Sequence, residues 1–180
     1  MRYFIALDLP REIKDYLFTF QKDYKTKDAK LLWTAKKNLH LTLKFLGDLP
    51  ETKLPDLQKI LAAINAPQIQ TKLSNIGVFP SEQEPKIIWA GLTPEQDILH
   101  LARTIDEETL HLASGEQRFK AHLTLARIKH IKAQQPFTAF LKTLTLKPHA
   151  FTLTTFTLYK STLTNQGPTY TALHTYILSS

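Results

Sequence analysis

The stretch His40-Leu41-Thr42-Leu43 decides how this sequence is interpreted, because it occurs a second time as His122-Leu123-Thr124-Leu125. The copies lie 82 positions apart in a chain of 180 residues, and each sits in a run of apolar and β-branched residues typical of a strand. Side chains at positions i and i+2 of a strand point to the same face. Each copy therefore presents one histidine and one threonine to one side, while its leucines point into a core.

The paired motif predicts a site for proton transfer. An imidazole has an unperturbed pKa of about 6.5, so His40 and His122 can serve as an acid and a base near neutral pH if they face one cleft. The hydroxyls of Thr42 and Thr124 can donate hydrogen bonds to phosphate oxygens. Two other interpretations stay open: a duplication whose polar residues satisfy each other in the core, and a metal site. Two histidines without an acidic neighbour make an incomplete zinc shell, so we expect no metal.

Composition narrows the possible functions. The absence of cysteine excludes disulfides, thiolate zinc sites and cysteine nucleophiles, and it favours the cytosol. The formal net charge of +7 favours polyanionic partners, nucleic acid first, although many soluble proteins are mildly basic. Residues 1–8 are too short and too quickly acidic for a signal peptide. No apolar run approaches the roughly 20 residues that span a bilayer, so we expect a cytoplasmic protein without a membrane anchor. With no phosphate-binding glycine loop, a kinase or nucleotide-triphosphate motor lacks support.

The pattern along the chain predicts an α+β fold. We expect strands over residues 2–7, 31–34, 39–46, 71–79, 87–92, 119–128, 151–162 and 170–178, and helices over 54–64, 95–113 and 133–142. A further helix is expected to have Pro10 in its first turn. Gly47-Asp48 is expected to end the third strand, Gly115 to end the connection after the long helix, and Asn165-Gln166-Gly167 to form a hairpin turn. Because no linker separates the halves, we predict a single domain, residues 1–180. It should consist of two pseudo-symmetric lobes, each a mainly antiparallel sheet with outer helices, facing a central cleft.

The sequence around both motifs resembles the two signatures of the two-histidine phosphoesterase superfamily. Within it, the chain is most similar to the RNA 2′,3′-cyclic phosphodiesterases, also called 2′-5′ RNA ligase-like proteins. The resemblance rests on residues 38–47 and 119–127 and covers nearly the whole chain, including residues 2–7, 77–80, 89–91, 158–161 and 167–170. One departure is Ala121, where relatives usually carry proline before the second histidine. Proline there would stiffen the entry to the strand, and its loss should remove no chemistry.

This resemblance implies hydrolysis of a ribose 2′,3′-cyclic phosphate to a 2′-phosphate, without cofactor or metal, at RNA ends or on short oligonucleotides. It assigns His40 as the proton donor to the leaving oxygen and His122 as the proton acceptor from water. Thr42, Thr124 and Arg127 would bind the phosphate. The residues alone leave open which histidine is the acid, because the motifs are nearly symmetric. Ligation through a 2′-5′ bond at the same site, and an RNA-end binding module without turnover, are the alternatives.

Strand alternation raises a difficulty for Arg127. It follows His122 by five residues, so strict alternation would direct it away from the cleft, and a bulge or strand end near Ala126 is needed. By the same alternation, Lys44 is expected on the face of the strand that carries His40 and Thr42. Lys44 is therefore either a further phosphate contact or a solvated lysine at the end of a strand.

Aromatic and basic residues near the motifs have two interpretations each. Phe45 and Trp33 are candidates for stacking on a nucleobase, or they belong to the core. A basic run beyond the second motif either guides an RNA backbone or is a solvated loop; it consists of Arg127, Lys129, His130 and Lys132. We expect a monomer.

Overall fold

The computed structural model describes residues 1–113, 119–164 and 167–180, and in these ranges it confirms the predicted α+β class. The strands are β1 (Arg2–Asp8), β2 (Ala29–Trp33), β3 (His40–Asp48), β4 (Ile69–Phe79), β5 (Ile87–Thr93), β6 (Leu123–Ile131), β7 (Ala150–Leu153), β8 (Thr155–Thr164) and β9 (Gly167–Ile177). The helices are α1 (Arg11–Asp23), α2 (Leu54–Ala63), α3 (Gln96–Glu108) and α4 (Gln134–Thr143), with 3₁₀ turns at Lys36–Asn38 and Glu51–Lys53. Gly115, Asn165 and Gln166, which the sequence places at turns, lie outside the described residues.

Two antiparallel sheets carry the site. The first has four strands in the order β3-β1-β8-β9, and the second has five in the order β2-β6-β5-β4-β7. The first histidine motif lies on β3 of one sheet, and the second lies at the start of β6 in the other. The sequence thus correctly places one motif in each sheet.

The two sheets do not coincide with the two halves of the sequence. β2 belongs to the first half of the chain but pairs with β6. β8 and β9 come from the end of the chain but complete the sheet of β1. The strand predicted over residues 151–162 is accordingly interrupted at Thr154, and its two parts, β7 and β8, lie in different sheets. Each half of the chain therefore needs the other to complete its sheet.

Helix boundaries follow local hydrogen bonding. Pro10 precedes α1 instead of lying in its first turn, and its carbonyl accepts hydrogen bonds from the backbone nitrogens of Ile13 and Lys14, both at 3.1 Å. α3 ends at Glu108, five residues before the predicted end. There the hydroxyl and the backbone nitrogen of Thr109 both donate to the carbonyl of Ile105, at 2.6 Å and 3.1 Å.

The core is a cluster of buried apolar side chains from both sheets and the helices. The motif leucines Leu41, Leu43, Leu123 and Leu125 all belong to it and are almost completely buried. Since successive side chains of a strand alternate between faces, this burial fixes the histidines and threonines on the opposite face of each strand. Gly47 has a φ of 67°, a value that glycine adopts without strain, and β3 ends at Asp48, within the predicted stop Gly47-Asp48.

Candidate active site

The fold brings the two motif histidines to one cleft. β3 begins at His40, β6 begins immediately after His122, and the two strands contact each other across the sheets. The rings are close enough that the charge on His122 lowers the pKa of His40. The strand predicted to contain His122 starts one residue later than that histidine.

Both imidazoles are held in the same way by the backbone. The Nδ1 atom of His40 lies 2.7 Å from the carbonyl oxygen of Asn38, and Nδ1 of His122 lies 2.7 Å from the carbonyl oxygen of Lys120. A carbonyl oxygen only accepts hydrogen bonds, so Nδ1 carries the proton in both rings. The neutral ring is then unprotonated at Nε2. Two identical anchors thus set the same tautomer in both motifs.

The pKa values of both histidines lie below the ordinary value of 6.5. Burial lowers the pKa of His40 to about 4, and the hydrogen bond to Asn38 and the carboxylate of Asp8 oppose this effect only in part. Burial also lowers the pKa of His122; the hydrogen bond to the backbone of Lys120 opposes the shift, and the positive side chain of Lys120 reinforces it. Both rings are therefore predominantly neutral at pH 7 when the cleft is empty of anions.

The threonine of the first motif completes this arrangement. Oγ1 of Thr42 lies 3.0 Å from Nε2 of His40. Because Nε2 of the neutral ring has no hydrogen, the Thr42 hydroxyl donates this hydrogen bond. Protonation of His40 at Nε2 would reverse the polarity of that contact and release the hydroxyl for another acceptor.

A β-bulge resolves the difficulty with Arg127. The pairing of β6 with β5 shifts by one residue between Thr124 and Ala126, so Leu125 is the extra residue of the bulge. Leu125 and Ala126 are both buried, and Arg127 is exposed. The extra residue therefore returns Arg127 to the face that carries His122 and Thr124. The predicted bulge is present, one residue before the predicted position.

The positive charge of Arg127 also reaches the opposite sheet. Burial raises the pKa of Tyr170 on β9, and the guanidinium of Arg127 lowers it again in part. The Tyr170 ring centre is 5.3 Å from that of His40. The side chain of Arg127 is therefore within electrostatic reach of the residues around the first histidine.

The first motif has the same bulge, which makes the prediction for Lys44 wrong. The pairing of β3 with β1 shifts by one residue between Thr42 and Lys44, leaving Leu43 as the extra residue. The shift turns Lys44 away from the cleft and into the core. Its side chain is fully buried, and its Nζ atom lies 2.8 Å from Oδ1 of Asp106 on α3. Lys44 thus joins β3 to α3 and cannot contact a phosphate in the cleft.

Phe45 takes the cleft-facing position that Arg127 has in the second motif. It lies opposite Phe4 across the sheet, with ring centres 6.2 Å apart, and 63% of its surface is exposed. This exposure agrees with the interpretation of Phe45 as a stacking surface. Trp33 instead packs against the hydrophobic core, with its ring centre 6.4 Å from that of Phe20, which fits the core interpretation.

An aspartate beside the first histidine was not predicted. Asp8, at the end of β1, lies directly opposite His40 in the strand pairing. Its carboxylate accepts hydrogen bonds from the hydroxyls of Thr157, at 2.5 Å, and of Tyr159. Burial raises the pKa of Tyr159, and the hydrogen bond to Asp8 raises it further. Sequence reasoning missed Asp8 because it is 32 positions from His40 in the chain; only strand pairing brings them together.

Aromatic rings enclose His40 from the first sheet. The ring of Phe4 lies 5.0 Å from that of His40 and stacks at 5.2 Å on the ring of Tyr159. Tyr170 meets Phe4 edge-on at 4.9 Å. This enclosure explains why burial dominates the shift in the pKa of His40. Tyr159 and Tyr170 fall within residues 158–161 and 167–170, two of the segments on which the family resemblance rests. Strand alternation alone, however, does not place their rings beside His40.

A second aromatic wall stands beside His122. Its ring is perpendicular to that of Phe79 at 5.0 Å and lies 6.5 Å from that of Trp89. Gly77 lies under Trp89, and a Cβ atom there would fall 2.1 Å from Cζ2 of the indole. Glycine at this position therefore lets the indole lie flat on the sheet, where it supports the wall next to His122.

The described residues contain no cluster of side chains suited to a metal ion. Among residues 1–113, 119–164 and 167–180, no three His, Cys, Asp or Glu side chains converge in a way that could hold a metal ion. In the same part of the chain, no helix has both the length and the apolar character needed to cross a bilayer.

Two strands from different sheets thus each bring a histidine and a threonine to one cleft. The chain belongs to the family described as LigT-like phosphoesterases, whose family profile matches residues 7–89 and 91–170. It therefore also falls within the two-histidine phosphoesterase superfamily that the sequence motifs indicate.

Named relatives align over almost the whole chain. A protein of Methanocaldococcus jannaschii named RNA 2′,3′-cyclic phosphodiesterase is 35% identical over 172 residues, which cover 94% of this chain and 96% of the relative. One of Thermotoga maritima with the same name is 27% identical over 177 residues, covering 97% and 94%. Among solved structures, Escherichia coli LigT complexed with 3′-AMP superposes with a TM-score of 0.78 at 26% identity, covering 99% of this chain and 98% of the other.

Proposed function

We propose that this protein is an RNA 2′,3′-cyclic phosphodiesterase, a hydrolase that converts a terminal 2′,3′-cyclic phosphate into a 2′-phosphomonoester. The observation that carries the proposal is the pair of backbone-anchored imidazoles, each in the Nδ1–H tautomer, close enough for the charge on one to affect the pKa of the other. Membership in the LigT-like family and the names of the relatives support the same reaction.

The reaction needs a base and an acid on opposite sides of the phosphorus. In the proposed mechanism, a water oxygen forms a bond to phosphorus while its proton moves to Nε2 of His122. The bond between phosphorus and the 3′-oxygen breaks, and that oxygen takes a proton from Nε2 of His40. The products are a 3′-hydroxyl and a 2′-phosphate. The unprotonated Nε2 of neutral His122 suits the role of base.

His40 acts as the acid only when Nε2 is protonated, and its pKa of about 4 keeps it neutral in the free protein at pH 7. The substrate carries a negative phosphodiester. An anion beside a buried imidazole favours the charged ring and raises its pKa. In this proposal, the bound anion raises the pKa of His40 so that Nε2 takes up a proton from solvent, and the acid forms only in a loaded cleft.

Three side chains are proposed to hold the phosphate. When His40 gains its proton, the hydroxyl of Thr42 is released from Nε2 and donates to a phosphate oxygen. The hydroxyl of Thr124 does the same from β6. The guanidinium of Arg127, brought to this face by the bulge at Leu125, offsets the negative charge that develops on the phosphate.

Phe45 is proposed to stack on the nucleobase at the RNA end. It is an exposed aromatic ring on the cleft face, five positions after His40, where the other motif has Arg127. Stacking on an aromatic ring tolerates different bases because every base has a π-face. The phosphate would then lie between Thr42 and Thr124, and the base would lie against Phe45 on the β3 side of the cleft.

Kinetics on an oligonucleotide that ends in a cyclic phosphate test the proposal. The variants His40→Ala and His122→Ala are each expected to lose about 10²–10⁴-fold in rate, the usual contribution of a positioned acid or base. His100→Ala, a change at an exposed histidine on α3, is the matched control and should keep full activity. Activity should persist in EDTA, because both proton transfers use side chains. Full activity of either motif variant would refute the assignment.

The alternatives predict other outcomes of the same assay. A binding module would bind RNA ends with salt-sensitive affinity and negligible turnover. A 2′-5′ ligase would join RNA pieces by the reverse reaction, but water competes with the RNA hydroxyl unless binding supplies a large effective concentration.

We further propose that residues 1–180 form one domain of two lobes, which the exchange of strands between the halves supports. A monomeric state and a cytoplasmic location remain predictions from the sequence.

A further inference from the structure

A groove lined with lysines lies at the free edge of the five-stranded sheet. The loop between α1 and β2, β2 itself and the end of β6 form a cavity of about 420 Å³. Its lining includes four basic side chains, which we call the lysine groove: Lys25, Lys27, Lys30 and Lys132. β2 is the outermost strand of its sheet, so this groove is open to solvent along the strand.

The lysine groove is strongly positive. All four lysines are exposed, and no aspartate or glutamate in the described part of the chain lines the cavity. Within the described ranges, none of the four forms an ion pair with a carboxylate. The nearby Asp28 shares a hydrogen bond with Thr26 instead. Four like charges around one concave surface repel one another unless an anion binds between them, so the groove fits a polyanion.

A second cavity in the same sheet has a different character. It measures about 530 Å³, and the charged residues that the described part of the chain contributes to its lining are Glu95 and Lys120. These two charges are opposite, so the described lining of this second cavity carries no net positive charge, unlike the lysine groove. Charge therefore favours the β2 edge over the β4–β5 region as the route of a bound polyanion.

The lysine groove continues from the β6 side of the cleft, where Arg127 lies. In the pairing of β2 with β6, Leu32 lies opposite Arg127, and Lys30 lies opposite His130. Lys30 is thus two residues along β2 from the level of Arg127, a distance of about 7 Å. Lys129, the extra residue of a bulge at this point, and Lys132 extend the positive charge along the same edge.

We propose that the lysine groove binds the backbone of single-stranded RNA on the 5′ side of the cyclic-phosphate end. The direction follows from the proposed function, on which this inference rests: a 2′,3′-cyclic phosphate is at the 3′ end, so the remaining strand lies on its 5′ side. A positive groove that follows the phosphates without contacting base edges binds any sequence. The groove thus makes the protein prefer RNA strands over mononucleotides.

Binding of RNA without a cyclic phosphate tests the groove independently of the reaction. The test variant is the pair Lys27→Glu and Lys30→Glu. The matched control is the pair Lys53→Glu and Lys59→Glu, exposed lysines in the 3₁₀ turn before α2 and on α2 itself, which change the net charge from +7 equally. The ligand is a single-stranded 12-mer with a 3′-hydroxyl, followed by fluorescence anisotropy at several salt concentrations.

The groove variant is expected to bind the 12-mer at least tenfold more weakly than the wild type at low salt. Its plot of log K against log salt should be shallower by about 1.4, because two phosphate contacts are lost at about 0.7 each for a single strand. The control should keep the wild-type slope. Equal weakening of both variants, or unchanged binding by the groove variant, would overturn the proposal.

Kinetics separate this inference from the proposed function. In the groove variant, the ratio of kcat/KM for a cyclic-phosphate 12-mer to kcat/KM for a 2′,3′-cyclic mononucleotide should fall at least tenfold, and in the control it should not change. A wild type that hydrolyses neither substrate would refute the function, while RNA binding would still decide the groove. A wild type that hydrolyses both, together with an unchanged ratio in the groove variant, would refute the groove alone.

Discussion

Replacing His40 by glutamine should remove much of the acid sensitivity of the fold. The folded protein holds the pKa of His40 at about 4, whereas the ordinary value, which applies to the unfolded chain, is 6.5. Between these two values the unfolded chain binds a proton and the folded protein does not. Stability that is fully present above pH 6.5 is therefore lost as the pH falls towards 4, because a buried neutral ring resists protonation.

The size of this effect follows from the two pKa values. Each unit of difference corresponds to about 1.4 kcal/mol. Between pH 7.5 and pH 4.5, the linkage relation gives a loss of about 2.5 kcal/mol in the free energy of unfolding from His40 alone. Glutamine does not titrate in this range, so the same pH change should cost the variant about 2.5 kcal/mol less.

Urea denaturation at pH 7.5 and pH 4.5 measures the difference, followed by circular dichroism. His100→Gln, at an exposed site on α3, serves as the control and should follow the wild type. The absolute stability of His40→Gln does not matter, because only its change with pH enters the comparison. If the wild type and His40→Gln lose the same free energy between the two pH values, His40 is not held neutral by burial.

Three further predictions concern the buried lysine, the exposed phenylalanine and the pH profile. Lys44→Met should destabilise the protein by about 3 kcal/mol in urea unfolding, because it removes the buried partner of Asp106, and adding Asp106→Leu should recover most of the loss. Phe45→Ala should weaken binding of an RNA end by about 1–3 kcal/mol in titrations, with little effect on thermal stability, because the ring is exposed. The pH optimum of kcat/KM should be more acidic than that of kcat, because substrate raises the pKa of His40; coincident optima in a pH–rate series would contradict this.

Local rules predicted much of the site. Alternation along a strand placed His40 and Thr42 on one face and the motif leucines in the core, since burial fixes which face turns inward. Strict alternation would direct Arg127 away from the cleft, whereas the family resemblance places it at the phosphate, and this conflict indicated a bulge. Strand alternation predicts the direction of a side chain reliably where buried apolar neighbours fix which face turns inward. Where a functional residue does not follow the alternation, the departure indicates a bulge.

Pairing between strands that are distant in the chain determines the features of the site that the sequence did not predict. The bulge at Leu43 depends on how β3 meets β1, and it directs Lys44 into the core against the prediction. Asp8 approaches His40 only because the two strands pair. The exchange of β2 and β8 between the sheets has no local signature, because turn residues and periodicity describe each strand but not its partner.

Phosphorus-31 NMR of an oligonucleotide ending in a 2′,3′-cyclic phosphate, incubated with the protein, gives the most direct reading of the chemistry in the cleft. With the wild type, the cyclic-phosphate signal should be replaced by that of a 2′-phosphomonoester, and with His122→Ala it should persist. Conversion by His122→Ala at the wild-type rate would contradict the claim that two imidazoles act on one phosphate from opposite sides, and a 3′-phosphomonoester as the product would contradict the assignment of the 3′-oxygen as the group that leaves beside His40.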